Sequence, residues 1–393
     1  MIRQIHNSAR TYAWGSRTLI PNLLGEESSA EPLAEIWFGT HDGSPSVLAE
    51  DKARLLTDEL AGHKLSFLLK LLAADEPLSI QAHPNAKQAQ VGFARENELG
   101  IALDAPERNY KDDQPKPEMI VALSDEFHAL CGFRDISESM QLFELLCNAP
   151  LGSVEFKEKI NSWIELLKDE GLRACYRKIM AASGQLGEFA EEFVSVARNL
   201  LQTKNNFPES LQTALTLNEK YPADVGVFVS LIMNHVVLTK GQALFLPAGN
   251  IHAYMGGLAV EVMAASDNVL RGGLTPKHID LVELERVLDF SAVQVPYVHP
   301  VARNNWVRNY PVPVSDFSLL EIELDLARTN QLIEIPGEAI ALCVSGEITV
   351  TNGNESVILG PGEAAYVNEP SKPLTLEGVG SVFLASDQDC LVK

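Results

Sequence analysis

The pattern of apolar and polar positions divides the chain into three stretches with different periods. In the first, residues 1 to about 134, short apolar runs at 65–72 and 119–123 lie between turn-forming Gly, Pro, Asn and Asp residues. Runs of this length between turn signals are typical of buried β-strands. Since no long amphipathic pattern joins them, the sequence predicts a β-rich N-terminal stretch.

The second stretch, from residue 136 to about 221, changes to a helical period. Asp135 followed by Glu138 resembles a capping box, and Pro208 and Pro222 mark the end of the stretch. Apolar residues recur three or four positions apart in three sets: Met140, Phe143 and Leu146; Ile160, Trp163, Leu166 and Leu167; Phe189, Phe193, Val196 and Leu200. This spacing predicts four or more helices.

In the third stretch, from Val225 onward, β texture returns with the run VFVSLIMNHVVL at 227–238. An Asn352-Gly353 pair between two alternating runs is a strong hairpin signal. Residues 240–252 (KGQALFLPAGNIH) align without gaps on residues 361–373 (PGEAAYVNEPSKP), which indicates two β units of one kind. The first copy ends in a histidine and the second in a proline, so a metal or catalytic role is expected in the first only.

These stretches together predict a mainly β fold with an α insert. The spacing Gly-x5-Pro-x-Gly-x2-His in the first copy is typical of cupins, which are double-sheet jelly rolls. We therefore expect two cupin-like jelly-roll β domains and an inserted helical domain. The predicted boundaries are residues 1–134 plus 224–300 for a catalytic cupin domain, 135–223 for the helical insert and 301–393 for a degenerate C-terminal cupin domain.

Composition narrows the class of protein. The 393 residues are 46% hydrophobic, which is enough for a large core, and the formal net charge is −22. That charge argues against nucleic acid and against an anionic membrane surface as partners, because both attract clustered Lys and Arg. There is no apolar window of about 18 residues and no signal-peptide pattern. The five scattered cysteines predict reduced thiols in a cytoplasmic protein.

Three segments carry candidate chemistry. Along a strand, Ser79, Gln81 and His83 would share one face, because residues two apart point the same way. Glu118 enters the apolar run at 119–123, where a carboxylate needs a cation or a metal as partner. Lys116 would share its face. Taken alone, His83 also fits a hydrogen-bonded histidine at the surface or in the core, and Lys116 with Glu118 fits a solvated loop with one salt bridge.

The third segment adds His252, which follows a Pro- and Gly-shaped loop, and Glu261 in the next apolar run. Arg271, followed by two glycines, suggests a guanidinium presented to an anion. Gln81, His83, Glu118 and His252 together offer two imidazoles, one carboxylate and one amide oxygen. Such a set around an open position suits catalytic zinc, and it is also close to the facial triad of non-haem iron enzymes.

Six motifs then occur in one order between residue 12 and about residue 284: YAWGS, AEIW, SIQAHP, NYKD with KPEM, PAGNIHAY, and VEVMAASDNVLRGGLTPK. In these the chain resembles the type I mannose-6-phosphate isomerase family. The resemblance implies a zinc-dependent aldose-ketose isomerase, with one zinc ion per chain, that interconverts D-mannose 6-phosphate and D-fructose 6-phosphate through an enediol(ate). It also implies a role in GDP-mannose biosynthesis and a sugar phosphate as the small-molecule partner, and we expect a monomer.

Residue by residue, the resemblance implies Gln81, His83, Glu118 and His252 as the zinc ligands. It implies that Ser79 helps to hold the phosphate, that Arg271 is essential for catalysis, and that Lys116 and Glu261 are candidates for proton transfer. The other matching pocket positions are Trp14, Glu35, Lys70, Tyr254, Asp267 and Lys277. One departure is visible, since Pro115 stands where many relatives carry a histidine, and this puts the conformation of Lys116 in doubt.

Two other functions compete with the isomerase. A cupin oxygenase could use iron at the same ligands, and metal content and a requirement for oxygen would identify it. A sugar-binding regulator could keep the pocket without catalysis, although binding alone needs neither an open metal nor candidate bases. The remaining histidines are expected to be structural or at the surface: His6, His41, His63, His128, His235, His278 and His299.

Overall fold

The computed structural model describes residues 1–292, 294–326, 331–368 and 371–392. Its strands are β1 Ile2–His6, β2 Glu35–Phe38, β3 Val47–Leu48, β4 Phe67–Ala74, β5 Ile80–Ala82, β6 Glu118–Ala122, β7 Phe127–Phe133, β8 Met233–Leu238, β9 Ala243–Leu246, β10 His252–Ala264, β11 Leu270–Gly273, β12 Tyr297–Val298, β13 Val301–Ala302, β14 Val307–Asn309, β15 Ser318–Leu324, β16 Gln331–Glu334, β17 Ala339–Asn352, β18 Glu355–Leu359, β19 Ala364–Val367, β20 Leu374–Ser386 and β21 Leu391–Val392. Its helices are α1 Leu19–Leu24, α2 Leu56–Glu59, α3 Ala86–Glu98, α4 Ile136–Cys147, α5 Val154–Asp169, α6 Leu172–Met180, α7 Gly187–Leu201, α8 Pro208–Lys220, α9 Val225–Val229 and α10 Leu281–Val287, with a 3₁₀ turn at Ser230–Ile232.

The N-terminal β unit is an antiparallel sheet in the order β11-β5-β10-β6-β9-β12, in which β10 also pairs with β4 and β7. Every residue of β4 is buried because an apolar cluster covers each of its faces. Leu72, Ala74, Ile120 and Tyr254 belong to the cluster inside this unit. Leu69 and Leu71 point the other way and pack with Phe383 and other residues of the C-terminal sheet.

The helices α4 to α8 form the insert that the apolar spacing predicts. Asp135 caps α4 by accepting a hydrogen bond from the backbone N–H of Ser137. Trp163 is 1% exposed and packs edge-on or tilted against Phe143, Phe189 and Phe228. The same apolar cluster reaches the strands that carry Ile80, Leu130 and Leu270, so the insert covers one face of the N-terminal sheet.

The C-terminal sheet has the order β13-β14-β15-β20-β17-β19-β1-β3, with β16, β18 and β21 pairing beside it. The first strand of the chain therefore lies in this sheet, where Ile2 pairs with Val367. The predicted Asn-Gly hairpin is confirmed, because Asn352 pairs with Glu355 across the turn between β17 and β18. The mainly β fold with a helical insert is confirmed, whereas the domain boundaries stay a prediction.

The two aligned segments form equivalent strands. In the first copy Gly241 has φ 82 and precedes β9; in the second Gly362 has φ 79 and precedes β19. Both glycines adopt the left-handed conformation that favours glycine. Residues 369–370 of the second copy lie outside the described residues.

Two local predictions are wrong. The β texture assigned from Val225 begins instead with α9 and the 3₁₀ turn, and the strand starts only at Met233. A short apolar run that is buried all round does not separate helix from strand by its period. Helix α3 was missed, although Asn85 and Gln88 form a complete capping box that signals its start.

Two remaining expectations concern cysteines and membranes. All five cysteines are free thiols, and four of them are buried. Within the described ranges, no helix combines the length and the apolar character needed to cross a bilayer.

Strand β10 connects the two halves of the N-terminal unit. Its first part pairs with β5 and β7, and from Gly257 onward it pairs with β4. The register shifts between Tyr254 and Gly256, and Gly257 has φ 120. A Cβ at Gly257 would lie 2.9 Å from the carbonyl oxygen of Glu126. Glycine is therefore needed at the point where β10 leaves its pairing with β5 and β7 and begins to pair with β4.

We predict that Gly257→Ala destabilises the protein by on the order of 1–3 kcal/mol, because alanine must adopt a strained backbone conformation there. Gly256→Ala is the matched control, since its Cβ would meet only the carbonyl oxygen of Ala74 at an ordinary 3.7 Å. Equilibrium denaturation of the two variants measures the difference. Equal stability of the two would show that the bend does not need glycine.

Candidate functional site

Four predicted ligands converge at one end of the N-terminal β unit. Gln81 lies in β5 directly opposite His252, the first residue of β10. His83 follows β5, and Glu118 opens β6 opposite Met263 of β10. Ile80 and Ala82 face the helical insert, so strand alternation turns Gln81 and His83 to the opposite side. Gln81 and His83 therefore lie on the same face of the strand, as the sequence predicts.

The distances between the polar atoms define a compact centre. Nε2 of His83 lies 3.3 Å from Oε1 of Glu118, and Nε2 of His252 lies 3.5 Å from Oε2. One ligand atom from each of these three residues lies within 4.8 Å of the others, and all three are buried. Nε2 of Gln81 is 3.4 Å from Nε2 of His252. A half-turn of the amide exchanges its nitrogen and oxygen, so either atom can face the centre.

Both histidines are oriented by backbone carbonyls. Nδ1 of His83 donates to the carbonyl oxygen of Asn268 at 2.7 Å, and Nδ1 of His252 donates to that of Asn250 at 3.1 Å. A proton held on Nδ1 leaves the Nε2 lone pair free to bind a cation. Buried Nε2 of His83 and Oε2 of Glu118 make no hydrogen bond with the described residues. Such orphaned acceptors fit a bound metal ion.

The ionisation states of these groups also fit a bound metal ion. Burial lowers the pKa of His83 to about 4, so its imidazole is neutral near pH 7. Burial alone would raise the pKa of Glu118, but the positive charge of Lys116 holds it well below its ordinary value. Nζ of Lys116 lies 2.9 Å from Oε1 of Glu118. The centre thus offers a neutral imidazole at His83 and a carboxylate at Glu118, the forms that bind metals.

A second buried cluster lies where β4 faces β10. Nζ of Lys70 is 2.9 Å from Oε2 of Glu261 and 3.4 Å from Oε1 of Glu35. Trp37 donates from Nε1 to Glu35 at 3.0 Å, and Lys70 lies over its ring. Burial opposes the charge on Lys70, yet Glu261 and Glu35 raise its pKa. Burial, with repulsion from Glu118 and Glu35, raises the pKa of Glu261 although Lys70 opposes this.

Two cations lie near the strands that carry the predicted metal ligands. Arg271 of β11 is opposite Gln81 of β5, and Ser79 comes just before that strand. The ion pairs of the described residues include neither Arg271 nor Lys277. Burial lowers the pKa of Arg271, and the positive charge of Arg271 lowers that of Lys277. Two neighbouring cations without acidic partners favour an anion between them.

The remaining predicted positions lie around these clusters. The Tyr254 hydroxyl is fully buried, and burial followed by Glu261 raises its pKa well above the ordinary value. Trp14 packs against the apolar cluster that contains Tyr254. Asp267 is half-exposed, and its Oδ1 lies 3.4 Å from Nε2 of His41. Burial opposes the charge on Asp267, but the imidazole and nearby lysines lower its pKa.

Sequence reasoning missed three contributors to this region. The sequence predicts His41 to be structural or at the surface; its Nδ1 accepts from the N–H of Gly43 and its Nε2 faces Asp267. Trp37 and Asn268 stand inside the AEIW and SDNVLRGG motifs, but only their tertiary contacts show what they do. A signal existed for Trp37, since a tryptophan inside a buried apolar run needs a partner for its indole N–H.

Comparison with known proteins identifies the family to which a chain with these buried clusters belongs. The model of the phosphomannose isomerase type I catalytic domain matches residues 2–136. The mannose-6-phosphate isomerase of Escherichia coli (strain K12) is 36% identical over 96% of this chain and 98% of its own length. The chain belongs to the mannose-6-phosphate isomerase family. The resemblance seen in the six motifs is therefore confirmed, and the protein is an enzyme of this isomerase family.

Other members of the mannose-6-phosphate isomerase family match the chain over a similar length. The enzyme of Salmonella typhimurium is 34% identical over 96% of this chain and 98% of its own length. A crystal structure of mannose 6-phosphate isomerase from the same organism, bound to its substrate fructose 6-phosphate and a zinc atom, superposes with a TM-score of 0.85 at 33% identity. That match covers 99% of this chain and 100% of the other. The fold and the family therefore extend over almost the whole chain.

Proposed function

We propose that this protein is a zinc-dependent aldose-ketose isomerase that interconverts D-mannose 6-phosphate and D-fructose 6-phosphate through an enediol(ate). The observation that carries the proposal is the buried group of His83, Glu118 and His252, whose ligand atoms lie within 4.8 Å of one another. The comparison adds a solved family member that binds zinc and fructose 6-phosphate.

Zinc would be held by Gln81, His83, Glu118 and His252, one ion per chain. The orphaned Nε2 and Oε2 atoms, and the two histidines fixed by backbone carbonyls, support this ligand set. When bound, zinc supplies a Lewis acid that polarises substrate oxygens and stabilises negative charge on them. We expect a monomer, and light scattering of the purified protein would check it.

The phosphate would lie toward Ser79 and Lys277, with Arg271 between them and the metal ligands. The register of Arg271 opposite Gln81 supports this order. A guanidinium in this position donates hydrogen bonds to the sugar oxygens as their charge increases. Because Arg271 has no acidic partner among the described residues, its charge is available to the substrate.

A carbon-bound proton must move between the first two carbons of the sugar, and we assign its transfer to Glu261, directly or through a group it orients. Its raised pKa supports this role, because a base works best near the ambient pH. Lys70 and Glu35 would set the charge around Glu261, and Lys116 would fix charge on a substrate oxygen. Trp14, Tyr254 and Asp267 would line the pocket.

A coupled assay of fructose 6-phosphate formed from mannose 6-phosphate tests the reaction. We predict turnover in the purified protein, loss of turnover after complete chelation, and recovery on adding zinc, since the ligand set has no substitute for the metal's charge. Assaying in the absence of oxygen should change nothing, which separates the isomerase from an iron oxygenase. Full turnover by metal-free protein would refute the zinc mechanism.

Arg271→Ala should lower kcat by on the order of 10²–10³, because it removes a donor to oxygens that gain charge in the transition state. Arg271→Lys keeps the charge and should recover part of that loss. Lys277→Ala should act mainly on KM, because phosphate binding is the same in the ground state and the transition state. An Arg271→Ala enzyme that keeps most of its turnover would contradict this assignment.

The pH profile tests Glu261. A base is active when deprotonated, so a raised pKa moves the acid limb of kcat/KM above the value of about 4.3 for an ordinary glutamate. Activity should fall as the pH decreases through that limb. Glu261→Gln should lower kcat by on the order of 10²–10⁴ and abolish the limb. A variant that retains both kcat and the limb would exclude Glu261 as the base.

A further inference from the structure

The connection between β10 and β11 carries a buried asparagine that touches two parts of the site. Asn268 is 0% exposed. Its backbone carbonyl accepts from Nδ1 of the ligand His83 at 2.7 Å. Its side chain points the other way, into the loop at 111–114 that leads to Lys116 and Glu118. One residue thus contacts a metal ligand and the segment that carries another ligand and a catalytic lysine.

The side-chain amide of Asn268 is saturated by this loop. Nδ2 donates to the carbonyl oxygens of Asp112 at 2.9 Å and Gln114 at 2.8 Å, and to Oδ1 of Asp112 at 3.1 Å. Oδ1 accepts from the backbone N–H of Lys111 at 2.7 Å and of Asp112 at 3.2 Å. Carbonyls on one side and N–H groups on the other leave a single orientation of the amide that satisfies them.

Neighbouring groups complete the same network. Ser266 is also 0% exposed, and its hydroxyl donates to Oδ1 of Asp112 at 2.8 Å. The backbone N–H of Asp267 donates to Oδ2 of Asp112 at 2.9 Å. The Asp112 carboxylate therefore accepts from the β10–β11 connection through both oxygens, and Asn268 completes the bonds to its main chain.

Pro115 restricts the backbone between the loop at 111–114 and Lys116. Proline locks its own φ and restricts the residue before it, here Gln114, to extended conformations. Gln114 is the residue whose carbonyl Asn268 holds. The path from the amide of Asn268 to the backbone of Lys116 therefore contains few free rotations. The departure from the family at Pro115 is compatible with an ordered Lys116, whose Nζ is 2.9 Å from Glu118.

We propose that Asn268 is a positioning residue that couples the orientation of His83 to the placement of Lys116 by holding the 111–114 loop. This inference rests on the proposed isomerase function, because the role of Lys116 belongs to it. The backbone carbonyl holds the histidine and the side chain holds the loop, so a side-chain substitution separates the two tasks.

The test uses Asn268→Asp in the full-length zinc protein. Aspartate has the same shape but donates no hydrogen bond, and its charge would face the carboxylate of Asp112. We expect zinc to stay near one ion per chain by elemental analysis, kcat to fall on the order of 10–100-fold, and amide hydrogen exchange of residues 109–117 to become at least about tenfold faster. The swapped pair Asn268→Asp with Asp112→Asn should recover part of both effects, because a neutral amide faces the carboxylate again.

The matched control is Asn250→Asp. Asn250 also offers its backbone carbonyl to a ligand histidine, but its side chain meets the thiol of Cys131 rather than the loop. Exchange at 109–117 should therefore stay at the parent rate in this control. If Asn268→Asp does not fold, Asn268→Ser removes the loop bonds without adding a charge and is measured in the same way.

Two results would overturn the proposal. One is parent-like exchange at 109–117 in the Asn268 variants, since the loop would then not depend on the amide. The other is loss of zinc in parallel with kcat, since Asn268 would then act only by holding His83. If the parent protein does not isomerise mannose 6-phosphate, the proposed function fails, whereas the exchange rates still report whether the amide holds the loop.

Discussion

The burial of one carboxylate governs the arrangement of this site. Glu118 is 2% exposed, and an ion removed from water to that extent costs several kcal/mol unless cations and donors surround it. Lys116 supplies a cation to Oε1 from the same segment. His83 and His252, from two other parts of the chain, place Nε2 at 3.3 and 3.5 Å from its oxygens, where a bound metal ion would complete the compensation. The strands behind them must therefore be held in one register, which the apolar clusters on both faces of β4 provide.

The same constraint explains which site residues could be predicted from the sequence. Gln81 and His83 follow from strand alternation, and Glu118 beside Lys116 follows from the cost of a lone buried carboxylate. The contact between Lys70 and Glu261 could not be predicted from spacing, because it depends on the register of β4 against β10, whose segments are far apart in sequence. His41 beside Asp267 was missed for the same reason.

Secondary structure was predictable where the period was distinctive. The helical insert and the Asn352-Gly353 hairpin have clear patterns, and both are present. The segment at 225–232 has no polar face, because the insert and the sheet enclose it on all sides. Its helix is set by Asp224, which caps the first turn through the N–H of Gly226. Helix α3 has few buried apolar residues, so its capping box was the stronger signal.

The bent strand β10 also restricts where residues can be inserted into this protein or deleted from it. His252 and Glu261 lie on that strand, one beside the other predicted metal ligands and the other beside Lys70. They are an odd number of residues apart, and the register shift between Tyr254 and Gly256 brings both to the same interior. Side chains along a strand alternate between faces, so inserting or deleting one residue between them would turn one of the two toward the opposite apolar layer. Gains and losses of residues can thus accumulate in surface loops, whereas the interval between His252 and Glu261 must keep its length for both side chains to face the same interior.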